Sequence, residues 1–192
     1  MTKSSNARAD FVQPIAVLTL ICLICAALLA YLNFVTKPVI DETDAFEAEK
    51  SRKEVLEDAD VFVPVDAALP EVFDDGTVNY VTEVYEAANG AGYVFMVTGD
   101  GYGGKGTMLL AVSLDGNGAI IRTKTISHEE TPGMGSKTAD EDFKSRFEGK
   151  TADTVGEVDA VTGATISSGH YFNSIRSVFA AYDYIFGKGA AA

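Results

Sequence analysis

The segment Asp159-Ala-Val-Thr-Gly-Ala-Thr165 sets a hydroxyl, on Thr165, beside a Gly-Ala turn and directly before a strongly amphipathic helix. Backbone N–H groups left unpaired at a helix start, together with the helix dipole, attract a phosphate. Gly163 and Ala164 leave room for a ligand there, and the Thr165 oxygen can form a phosphoester. The same residues also suit an ordinary strand-to-helix turn, because Ser and Thr are the usual N-cap residues. Spacing alone does not separate the two.

A second constellation is His128-Glu-Glu-Thr-Pro-Gly-Met-Gly135. Pro132-Gly133 and Gly135 predict a rigid turn, with Thr131 and His128 as hydrogen-bonding groups. Such a loop could lie against a planar ring, or be a surface turn carrying a solvated histidine. Gly101-Tyr-Gly-Gly-Lys-Gly106 lacks Walker spacing and a strand–GxGxxG–helix context, so it reads as a bulge or turn rather than a nucleotide loop. Cys22 and Cys25, at i and i+3, could ligate an iron–sulfur cluster with cysteines of a partner subunit; the ordinary reading is small apolar packing residues. His170, at the start of the last helix, either contacts the ligand or sits on the surface of the first turn. A hydrolase using Thr165 or Ser167 with His128 or His170 as base has no nucleophile signature behind it.

These groups need elements to hold them. Val61–Val65, Asn79–Glu86 and Gly92–Thr98 have strand character. Five glycines among the eight residues Gly99–Gly106 predict a loop with close backbone approach. Thr107–Leu114 and Ala119–Ile126 flank Asp115-Gly-Asn-Gly, a hairpin signal. Residues 138–148 predict a short helix with Phe143 and Phe147 at i, i+4, and Glu157–Val161 a strand leading into the phosphate segment. Tyr171, Ile175, Val178, Phe179, Tyr182, Ile185 and Phe186 recur on one helix face, started by Ser167 or Ser168 and ended at Gly187. Strands followed by a packed C-terminal helix predict an α+β domain.

Ahead of this domain, no charged residue or histidine occurs from Phe11 to Thr36. A bilayer core about 30 Å thick needs about 20 apolar residues at helical rise, so the run is long enough to span. A cleaved signal peptide would have a shorter apolar core, of about 7–15 residues; Leu28-Leu29-Ala30 is a poor cleavage site, and Ile rather than a lipobox precedes each cysteine. The expected organisation is a tail at 1–10, a transmembrane helix at 11–36, a solvated helical stalk at 37–60 with Val39, Phe46, Val55 and Leu56 as scattered apolar positions, and the α+β domain at 61–192. The net charge is −13 and only Asp10 among the acidic residues precedes the span's end. So acidic a domain is repelled by nucleic acid and by anionic headgroups. It has no cysteine, and hence no disulfide or thiolate metal site. Positive charges flanking the span are nearly balanced, leaning weakly towards a cytoplasmic N-terminus.

Taken together, these residues resemble a known family. Asp159–Thr165 is similar to the flavinylation motif of FMN-binding domains, D-x-x-S/T-G-A-T/S. His128–Lys137 resembles the HKETPGLG segment of the G subunit of Rnf-type ion-translocating electron-transport complexes. The Gly-Tyr-Gly-Gly segment, the single N-terminal span and the chain length fit the same family, and the likeness covers nearly the whole chain. It implies one covalent FMN, joined through a phosphoester to Thr165 by a flavin transferase that uses FAD. Asp159, Thr162, Gly163 and Ala164 would be recognition and turn residues, and His128, Thr131 and Gly133 would belong to a flavin-contact loop. No catalytic residue and no metal are implied in the chain itself. The N-terminus would be cytoplasmic and the FMN domain outside, partnered by other membrane subunits that link reduced ferredoxin and NAD to export of sodium ions or protons. Glu129 and Met134 depart from the commoner Lys and Leu without removing the Thr-Pro-Gly turn. The related C subunit of sodium-pumping NADH:quinone reductase, another extracytoplasmic flavinylated carrier, and a cofactor-free membrane-anchored binding module are the alternative expectations.

Overall fold

The computed structural model describes residues 7–187, with side chains at 14–37 and 46–187. Residues 1–6 of the expected tail and 188–192 of the expected domain lie outside the described residues, as does the side chain of Val39. The chain divides into two compact units, Met1–Phe46 and Glu47–Ala192.

Helix α1 runs Ala7–Val55. Within it, Pro14–Lys37, with a mean hydropathy of 2.8, is long and apolar enough to cross a membrane. Its side chains are apolar all round and exposed, which is what a helix surrounded by lipid requires. Cys22 and Cys25 are exposed with the rest of the span.

The last turns of α1 belong to the second unit. Val55 and the following Leu56 are buried and form a cluster with Ala87, Val94, Met96 and Ala111. The expected stalk at 37–60 is therefore corrected at its C-terminal end, where the helix is a core element. Polar contacts fix it there: the Ser113 hydroxyl donates to the Val55 carbonyl at 2.6 Å, Arg122 pairs with Glu57, and Lys124 with Glu54.

Five antiparallel strands follow in sequence order: β1 Phe62–Pro64, β2 Val81–Ala87, β3 Tyr93–Gly101, β4 Gly104–Leu114 and β5 Ile120–His128. Successive side chains of a strand point to opposite faces. Val94, Met96 and Ala111 meet the end of α1, while Phe95, Val97, Leu110, Val112 and Leu114 face the main core. Burial on both faces explains why β3 and β4 read as continuous apolar runs instead of alternating ones. The Asp115–Gly118 hairpin is present as predicted, with Asp115 accepting from the N–H groups of Asn117 and Ala119. The glycine-rich stretch 99–106 is not the expected loop. Gly99 pairs with Met108 and Gly101 with Gly104, so only Tyr102-Gly103 forms the turn.

The predicted helix 138–148 is broken into a 3-10 turn at Gly135–Ala139, a single α-turn, α2, at Glu141–Lys144, and another 3-10 turn at Ser145–Phe147. Extended backbone at Asp140 makes the break. Phe143 and Phe147 still stack edge-on at 5.2 Å, and each lies 5.2 Å from the Tyr171 ring. Residues 157–161 do not form the expected strand: Val158 and Val161 pack against the main core instead.

Helix α3, Thr165–Tyr182, covers the second face of the sheet and runs on into a π-helical turn at Asp183–Gly187. Its predicted face is the observed one, with Tyr171, Ile175, Val178 and Phe179 buried. Burial pushes the Tyr171 phenol well above its usual range, keeping it a donor to Thr123 Oγ1 at 2.9 Å. The architecture is thus α+β, as expected. Small residues let α3 approach closely. A side chain on Gly99 of β3 would collide with Ser174, and Ser177 accepts from the Tyr80 N–H at 2.8 Å. Gly99→Val is expected to destabilise the domain by about 1–3 kcal/mol through overpacking, read as a lowered midpoint in denaturant unfolding.

Candidate functional site

The start of α3 is set by the turn Val161-Thr-Gly-Ala164. The Ala164 N–H donates to the Val161 carbonyl at 3.0 Å, and Gly163 takes the third position at φ +82, a left-handed conformation that favours glycine. The Ser168 hydroxyl accepts from the Val161 N–H at 3.0 Å, and the first intrahelical bond runs from the Ser168 N–H to the Ala164 carbonyl. Neither Ser167 nor Ser168 caps the helix, contrary to expectation; the N-cap position is Ala164, with no side-chain cap. Among the described residues none accepts from the N–H groups of Thr165, Ile166 or Ser167. They are the donors a helix start normally leaves open.

The second constellation lies against this turn. Met134 N–H donates to the Thr131 carbonyl at 3.2 Å, with Pro132 and Gly133 (φ +78) between them: the Pro-Gly arrangement of a type II turn. The next residue, Gly135, packs against Glu130, a residue only 6% exposed. One Glu130 oxygen accepts from the Tyr102 N–H at 2.9 Å, and the other from the Ser167 hydroxyl at 2.6 Å. The latter is in the range of a charge-assisted O–H···O bond. A Cβ on Gly101 would stand 2.6 Å from the first oxygen, and one on Gly135 would collide with the second.

These three segments enclose a cleft of about 290 Å³. Tyr102 comes from the β3–β4 turn; Glu130, Thr131, Met134 and Gly135 from the loop after β5; and Gly163, Ala164, Thr165, Ile166 and Ser167 from the start of α3. Tyr102, Met134 and Ile166 leave 65%, 57% and 57% of their surface open, an apolar rim around a polar floor. Such a mixture suits a ligand with a flat apolar part and an anionic end. Among the described residues, no group of three or more His, Cys, Asp or Glu side chains could hold a metal ion.

Residues 101–180 match the FMN-binding domain family, a range that contains every residue lining the cleft. The chain is also 32% identical over 184 residues to the G subunit of an ion-translocating oxidoreductase complex of Methanosarcina acetivorans, covering 92% of this chain and 95% of that one. The chain belongs to this family of G subunits. It is 29% identical over 163 residues to the G subunit of the proton-translocating ferredoxin:NAD(+) oxidoreductase complex of Clostridium ljungdahlii, covering 79% of this chain and 80% of the relative. It is 31% identical over 173 residues to the Na(+)-translocating counterpart of Acetobacterium woodii, covering 79% and 82%.

Within this family the predicted site residues divide. Thr131, Gly163, Ala164 and Thr165 line the cleft. Thr165 is exposed, and among the described residues nothing bonds to its hydroxyl. Ser167 and Ser168 are buried and committed to Glu130 and Val161. Asp159 and Thr162 are exposed and do not line the cleft. Gly133 shapes the turn behind Thr131. His128 stands at the end of β5, where its Nδ1 accepts from the Glu130 N–H at 3.2 Å, so it orients Glu130 without lining the cleft. His170 is half-buried and also off the cleft, its Nδ1 without a partner among the described residues. Sequence reasoning missed Glu130, Tyr102 and Ile166. The signal for Glu130 was its position between a strand end and a Pro-Gly turn, but a glutamate there usually faces solvent. Gly135→Ala is expected to force the Glu130 carboxylate aside and cost about 1–3 kcal/mol, seen as a lower thermal midpoint with circular dichroism unchanged at low temperature.

Proposed function

We propose that this chain is the FMN-bearing subunit of an ion-translocating ferredoxin:NAD oxidoreductase complex, relaying electrons through a flavin held on Thr165 by a phosphoester. The observation that carries the reading is the state of the hydroxyls at the start of α3. Thr165 alone among Thr165, Ser167 and Ser168 is exposed, uncommitted and on the cleft. The open N–H groups of Thr165, Ile166 and Ser167 fit a phosphate beside it. The bare backbone of Gly163 gives the phosphate access, and Tyr102, Met134 and Ile166 suit the ring.

During attachment, the Thr165 oxygen gains a bond to the FMN phosphorus of FAD. AMP leaves with the bridging oxygen, and the hydroxyl proton passes to solvent. A dedicated flavin transferase is the partner for this step, and the exposed Asp159 and Thr162 are placed for it to read. Once bound, the flavin supplies one- and two-electron chemistry. The protein's residues anchor it, orient it and shield one side from water. A tether on the outer face prevents loss of the cofactor, and the span over residues 11–36 confines it near the other membrane subunits, raising their effective concentration. In this reading the N-terminus is cytoplasmic, the domain after the span is extracytoplasmic, and electron flow is coupled to export of sodium ions or protons.

Two measurements check this. Coexpressed with a flavin transferase, the wild-type chain, Thr165→Ser and Ser167→Ala give a fluorescent band in a denaturing gel, and Thr165→Ala gives none; fluorescence that survives Thr165→Ala defeats the attachment. For sidedness, a cysteine at the exposed Lys105 is labelled by a membrane-impermeant maleimide in intact cells, and protection until lysis would reverse the orientation.

A further inference from the structure

Glu130 is more than a structural tie. It is buried, yet it lines the cleft, and it is the one carboxylate among the lining residues. No described lysine, arginine or histidine forms an ion pair with it. Among the described residues its carboxylate accepts two hydrogen bonds, from the Tyr102 N–H and the Ser167 hydroxyl, and it lies by the positive end of the α3 dipole. Gly101 and Gly135 clear the space it needs: a side chain at either would strike the carboxylate. A buried carboxylate is costly unless it is paired or fully hydrogen-bonded. A neutral glutamine could fill the same place, its oxygen accepting from the Tyr102 N–H and its amide N–H donating to the Ser167 hydroxyl, which can also act as acceptor.

We propose that Glu130 sets the reduction potential of the group carried in this cleft, holding it low by presenting a fixed negative charge; this rests on attachment of FMN at Thr165. Each electron added without its proton adds a unit of negative charge to the cleft. A nearby carboxylate in a poorly hydrated site opposes that addition. Glu130 therefore favours the oxidised, neutral ring. Ser167 disperses part of the carboxylate's charge through its hydrogen bond, and Tyr102 holds the other oxygen in place.

The test uses the full-length chain in detergent, coexpressed with a flavin transferase, with loading read by in-gel fluorescence and the midpoint potential by spectroelectrochemical titration with mediators. Glu130→Gln is expected to load as the wild type does and to shift the potential positively by at least tenfold in the redox equilibrium constant, about 59 mV for one electron. Ser167→Ala leaves the carboxylate with one donor fewer and is expected to shift the potential the other way. Glu129→Gln removes an exposed neighbouring charge outside the cleft and is expected to leave it unchanged. A loaded Glu130→Gln protein with the wild-type potential overturns the proposal while leaving Thr165 attachment intact. So does a shift in Glu129→Gln as large as that in Glu130→Gln. Should Glu130→Gln fail to load, Ser167→Ala decides: an unchanged or positive shift overturns the proposal. A wild-type chain without covalent flavin removes the Thr165 reading and this one together.

Discussion

One buried carboxylate gathers the site. Glu130 binds the backbone of the β3–β4 turn through Tyr102 and the first turn of α3 through Ser167, while its own N–H is held by His128 at the end of β5. Three segments far apart in sequence are thereby brought to one cleft. The arrangement is possible only because Gly101 and Gly135 present no side chain to the carboxylate. It also settles which hydroxyls are free. Ser167 is consumed by Glu130 and Ser168 by the Val161 N–H, leaving Thr165 facing the opening.

The precision of that cleft depends on the layers behind it. The meander sheet is covered on one face by α3 and on the other by the end of α1, so β3 and β4 are buried from both sides. Serines along α3 allow close approach to the sheet, and each buried hydroxyl has a hydrogen-bond partner: Glu130 for Ser167, the Val161 N–H for Ser168, the His170 carbonyl for Ser174 and the Tyr80 N–H for Ser177. Buried polar groups paired in this way rigidify a contact instead of weakening it. The first turn of α3 is thus fixed both from the sheet and from the loop.

Much of this was legible in the sequence, for identifiable reasons. The α3 face, the Asp115–Gly118 hairpin and the Phe143–Phe147 pair follow from periodicity and turn chemistry, which are local. The Thr162-Gly-Ala-Thr165 turn was readable because two small residues precede the amphipathic helix. What was not legible depended on distant contacts. The glycines at 99–106 looked like a loop, but Gly99 is small for Ser174 and Gly101 for Glu130. Ser167 looked like a cap and is instead a buried donor. The charged residues of the 37–60 segment suggested solvent on all sides, because Arg122 and Lys124, which pair with Glu57 and Glu54, lie 65 and 70 residues further along the chain.

The burial of Val55 and Leu56 redefines where the soluble portion begins. Severing the chain near residue 60, at the apparent start of strand structure, would remove the helical turns that cover Val94, Met96 and Ala111. Val94, Met96 and Ala111 would then meet water as an apolar patch, the kind of surface that drives self-association. A membrane-free version of the domain therefore has to begin near Glu47, and the last turns of the anchoring helix serve as the sheet's own solubilising cover.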